Sequence, residues 1–109
     1  MTVLVDLPPV RPGRLADGLA AADMAEHVRA FRDALRGART EPLADGVRLV
    51  LRLEVRAIAR LADLVRAEAD TLPFFGFRVL AEPPACWLEV TGTARAGEVA
   101  RAVFGALGE

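Results

Sequence analysis

The chain contains no serine, lysine, tyrosine, asparagine or glutamine. Each absence removes a chemistry. Without serine there is no serine nucleophile, without lysine no Schiff base, and without tyrosine no phenolic acid. Any reaction would rest on Asp, Glu, Arg, Thr, the single histidine His27 or the single cysteine Cys86. All fourteen cationic side chains are arginine, and alanine is abundant, a bias expected of a GC-rich bacterial genome.

Other scarcities exclude whole classes. One cysteine forms no internal disulfide and fits a reducing cytoplasm. One histidine, one cysteine and scattered carboxylates make no recognisable metal site, and no metal or cofactor is expected. The GxGxxG, GxxxxGK[ST], CxxC and HExxH patterns are missing, so the glycines read as chain punctuation rather than a phosphate cradle. A net charge of −1 gives no general pull toward nucleic acid or anionic lipid. No apolar run approaches the roughly 18–20 residues of a membrane span. The opening MTVLVDLPPV lacks a basic region and a long apolar stretch, so no signal peptide is expected.

What is present suits one α+β domain. The chain has 109 residues, 53% of them hydrophobic, enough for a core. Residues 2–7 read as a short strand, ended by Pro8, Pro9, Pro12 and Gly13. Leu15 and Leu19 suit a separate helical turn. Met24, Val28, Phe31 and Leu35 then recur at helical spacing, with Asp23 and Glu26 as a capping pair and Gly37 as the stop. Residues 39–46 read as a loop. In 47–55, VRLVLRLEV, apolar residues alternate with Arg48, Val50, Arg52 and Glu54, which predicts a strand covered on one face. A helix over 56–71 follows, with Ile58, Ala62, Val65, Ala69 and Leu72 on one stripe. Residues 77–82 and 86–91 read as a hairpin. Thr93 caps a last helix carrying Val99, Val103 and Leu107.

The order is β-α-β-α-β-β-α. From residue 47 onward it resembles a ferredoxin-like split βαβ unit, with residues 2–7 or another chain supplying the last strand. In outline, ACT-like regulatory domains, dimeric α+β barrels and RNA-recognition motifs share this order. No signature residue selects one of them.

The segment PPACWLEVT holds the only cysteine beside the only tryptophan. Strand neighbours point to opposite faces, so the two do not form one site. Cys86, Leu88 and Val90 are expected to meet the helices, with Cys86 a small buried hydrophobe rather than a nucleophile. Trp87, Glu89 and Thr91 point to the open face. There they join Arg48, Val50, Arg52 and Glu54, and Arg78, Leu80 and Glu82. Apolar Val50, Leu80 and Trp87 rimmed by charge suggest a contact surface. A solvated, ion-paired sheet with Trp87 lying over aliphatic stems is the plainer alternative.

Three functions are open to such a chain. The favoured one is a non-catalytic interaction or regulatory module that self-associates, or binds a partner protein or small ligand, through the open face. A small cofactor-independent enzyme would use Glu54 or Glu89 as base and Arg52 as anion holder. Arginine neighbours argue against it, because they favour structural ion pairs over a tuned carboxylate. Single-stranded RNA binding needs several stacking aromatics and a basic groove, and this face offers one tryptophan and balanced charge. His27, at the border of its helix, packs locally.

Overall fold

The computed structural model describes residues 2–9, 29, 31–69, 72, 75–92 and 95–105. The predicted features at Leu15, Leu19, Asp23, Met24, Glu26, His27, Val28, Thr93 and Leu107 lie outside these residues.

Five strands and two helices are described: β1 (Thr2–Leu7), β2 (Arg39–Leu43), β3 (Gly46–Arg52), α1 (Val55–Ala69), β4 (Gly76–Glu82), β5 (Ala85–Thr91) and α2 (Arg95–Gly105). The strands form one sheet in the order β1-β4-β5-β3-β2. Every neighbouring pair is antiparallel. The class is α+β, and the order differs from that of a four-stranded split βαβ sheet.

Alternation decides which side of the sheet is covered. Val47, Leu49 and Leu51 of β3, Phe77, Val79 and Ala81 of β4, and Cys86, Leu88 and Val90 of β5 are all buried. Helix α1 lies by β4 and β1, and α2 by β3 and β5. In α1, Ile58, Leu61, Ala62 and Val65 form the buried stripe, at the i, i+3, i+4, i+7 spacing of one helix face. Phe31, Phe75, Phe77 and Phe104 meet in a ring cluster with centroids 5.4–6.2 Å apart. Most of these contacts are edge-to-face, as the ring quadrupoles prefer. Phe31 and Leu35 thus join the core as their helical spacing implies. Gly37 follows at φ 79°, the left-handed stop expected there.

Three expectations need correction. Residues 39–46 are not a loop: β2 pairs with β3 through the two-residue connection Ala44-Asp45, making a fifth strand. The turn docks on the start of α2, where the amide of Gly92 donates to the carbonyl of Asp45 at 2.9 Å. Arg101 of α2 donates to the carbonyl of Leu43 at 2.9 Å. Second, residues 2–7 are a strand, but they pair with β4, whereas β2 occupies the free edge of β3. Third, the strand read over 47–55 ends at Arg52. The amide of Leu53 donates to Pro84 in the β4–β5 turn, and the carbonyl of Glu54 accepts from Ile58 as α1 begins.

Strand β1 carries a bulge between Val3 and Val5. An extra residue there lets Val3 and Asp6, an odd number apart, pair with Leu80 and Arg78 on the same face. Val5 turns into the core. The carbonyl of the bulged Leu4 accepts from Arg66 of α1 at 2.9 Å.

Candidate functional site

The face away from the helices is organised in rows across the strands, because directly paired residues point the same way. One row takes a residue from every strand: Glu41, Arg48, Glu89, Arg78 and Asp6. Its charges alternate without a break. Arg48 lies 3.3 Å from Glu41 and 2.8 Å from Glu89. Arg78 lies 3.3 Å from Glu89 and 3.6 Å from Asp6. The last distance is an ion pair rather than a hydrogen bond.

Glu89 is the hub of this row, on the central strand and only 8% exposed. Its two oxygens are divided between the arginines. Arg48 donates from Nε at 2.9 Å to Oε2, and Arg78 from Nη1 at 3.3 Å to Oε1. The hydrogen bond to Glu89 pushes the Arg48 guanidinium further up from its ordinary value, against the opposing effect of burial. A carboxylate gripped on both oxygens by arginines is held stationary, which is poor design for a general base.

The next row is apolar. Val50, Trp87, Leu80 and Val3 stand side by side on β3, β5, β4 and β1, with Arg39 of β2 at one end. Val50, Trp87 and Leu80 are half-buried, and Val3 is 48% exposed. A third row holds Arg52, Ala85 and Glu82. Cys86 is fully buried on the opposite side of β5, and burial pushes its thiol up.

Nine of the ten residues placed on this face therefore come together: Arg48, Val50, Arg52, Arg78, Leu80, Glu82, Trp87, Glu89 and Thr91. Glu54 does not. It lies beyond β3, and the register pairs Arg48, six residues earlier, with Glu89. Six strand residues span about 20 Å, so Glu54 and Glu89 make no carboxylate pair. Asp6, Glu41, Arg39 and Val3 belong to the face and were missed. The edge strands carry them, and their pairing partners have no signal in the sequence.

A second feature is a groove of about 350 Å³ between α1 and β1. Leu4, Ile58, Ala59, Ala62, Ala81 and Pro83 give it apolar walls, with Asp63 and Arg66 at the rim. Among the described residues no helix is long and apolar enough to cross a membrane. No acidic, histidine or cysteine cluster among them is arranged to hold a metal ion. Comparison with protein-family models, curated proteins and solved structures finds no match to this chain.

Proposed function

We propose that this protein is a non-catalytic interaction module that self-associates through the open face of its sheet. The observation that carries the reading is the apolar row Val50–Trp87–Leu80–Val3 lying beside a row of alternating, internally paired charge. An apolar strip is the part of a surface that gains most from being covered, at about 25 cal/mol per Å² of apolar area. Tryptophan and arginine are the side chains most enriched at binding hot spots. A second copy is the occupant this face suits. The charge is balanced, so no strongly basic or acidic partner is called for, and the row of alternating signs is complementary to itself when displaced by one strand.

The two rival readings lose their working parts. The enzyme reading needed a mobile carboxylate and a neighbouring Glu54. Glu89 is held by two arginines, and Glu54 is elsewhere. The RNA reading needed stacking platforms, and Trp87 stands alone among aliphatic neighbours.

The strand order supports a finer fold reading. The run β4-β5-β3, with α1 joining β3 to β4 and α2 following β5, has the neighbours of a split βαβ unit. We read β2 as taking the last-strand position beside β3, and β1 as an addition at the other edge. A free, buried Cys86 suits a reducing cytoplasm.

Trp87 fluorescence across a wide dilution series tests the proposal. Emission that is blue-shifted when concentrated and moves to the red on dilution is the expected result. Red emission at every concentration would overturn it.

A further inference from the structure

We infer that the second copy docks with its two-fold axis running along the strands, midway between β4 and β5. The inference rests on the self-association proposed above. What selects the axis is the order of charges in the Glu41–Arg48–Glu89–Arg78–Asp6 row and the position of Val3 in the row beside it.

Two identical sheets packed face to face are related by a two-fold axis lying in their interface. When the axis follows the strands, each row of one copy lies over the same row of the other, about 10 Å away. An axis placed on β5 sets Glu89 over Glu89 and Arg48 over Arg78, like charge on like along the whole row. Moving the axis by half a strand spacing, about 2.4 Å, inverts every one of these contacts. Midway between β4 and β5, Glu89 faces Arg78 of the second copy, and Arg48 faces Asp6. The apolar row closes on itself in the same movement: Trp87 meets Leu80, and Val50 meets Val3. The 48% exposed Val3 is covered.

The competing axes fail on named residues. Midway between β3 and β5, unlike charges also meet, but Arg39 comes to lie over Leu80, and Val3 is left in water. An axis running across the strands through the apolar row sets Arg48 over Arg52 of the second copy, again like on like. The crossing of roughly −30° between aligned twisted sheets displaces the outer pairs by a few ångström, less than the ~7 Å between successive rows on one face.

Single-cysteine additions read the axis directly. Cys86 is fully buried and stays in place, with the wild type as the blank. The reagent is a bismaleimide spanning about one intersheet distance, ~10 Å. Val3→Cys mixed with Val50→Cys is expected to give covalent dimer at least tenfold above either variant alone. The single variants stay low because each introduced thiol lies three strand spacings from its own copy, about 14 Å sideways. Covalent dimer that forms only when Arg39→Cys and Leu80→Cys are mixed, and from neither alone, would overturn the placement in favour of the β3–β5 axis. A dimer by mass with no Val3–Val50 product would overturn it as well. A wild type that sediments as a monomer removes the self-association reading itself, and the axis with it.

Discussion

Arg48 and Glu89 face each other across β3 and β5 with both Nε and Nη2 of the guanidinium on the same carboxylate oxygen, at 2.9 and 2.8 Å. The other oxygen of Glu89 is thereby left for Arg78. One carboxylate thus bridges two cations across three adjacent strands, and those strands are the centre of the sheet.

Removing that carboxylate leaves two guanidinium groups on the face with their central counter-charge gone. Glu89→Ala is expected to lower stability by about 2 kcal/mol. Breaking a fully buried pair typically costs ~3–5 kcal/mol, and here both arginines keep contact with water. Glu89→Gln, which keeps the shape and one acceptor, is expected to lose about half as much. Urea unfolding measures both. A loss under about 0.5 kcal/mol for Glu89→Ala would reduce the row to ordinary surface pairs.

The two ends of β2 give a contrast between two glycines, Gly37 ahead of it and Gly46 after it. A Cβ on Gly46 would collide with the carbonyl oxygen of Val90 and come within 2.8 Å of the Cα of Thr91. Both are backbone atoms of the neighbouring strand and cannot step aside. Gly46→Ala is expected to cost about 2–3 kcal/mol, in the range of overpacking. A Cβ on Gly37 would meet nothing within 4 Å, so only its φ of 79° opposes alanine. Gly37→Ala is expected to cost about 1 kcal/mol. Thermal melts of the two variants give the ranking, and equal losses would contradict it.

The chain has no lysine and no tyrosine, so Cys86 is its one side chain that titrates between about pH 8 and 11. Burial raises the thiol pKa in the folded state above that of the unfolded chain. The sign follows: this stabilising contribution is complete below the unfolded thiol value, near ~8.5, and is lost as pH rises from there toward the folded value. Stability of the wild type is expected to fall in that window by up to about 1.4 kcal/mol per pH unit. Cys86→Ala should be flatter there. The native thiol should also resist alkylation until urea exposes it. Parallel slopes for the two proteins, or rapid native labelling, would contradict the buried placement.

Most of the sheet was legible because its central strands each carry one greasy side. Alternation in 47–52, 77–82 and 86–91 placed Cys86 inward and Trp87 outward with no structural help. Strand β2 was illegible for a physical reason. An edge strand bonds on one side only, so Arg39-Thr40-Glu41-Pro42-Leu43 needs no apolar face and tolerates a proline. Glu54 misled because the alternation continues through Leu53 and Val55. The chain leaves the sheet there anyway, and Val55 ends 68% exposed at the start of α1. Of the alternating charge row, Arg48, Arg78 and Glu89 were placed on the face, but its order and its edge members Asp6 and Glu41 were hidden. Its members come from five strands, and only the register brings them into line.

The most direct test of self-association through the open face is the solution mass of the wild type beside Trp87→Asp, by sedimentation equilibrium. Trp87 points away from the core, so the variant is expected to keep its fold, checked by circular dichroism. The account predicts twice the chain mass for the wild type at high concentration and a single chain mass for Trp87→Asp. A wild type that is monomeric throughout, or a Trp87→Asp variant that dimerises as tightly as the wild type, would contradict it.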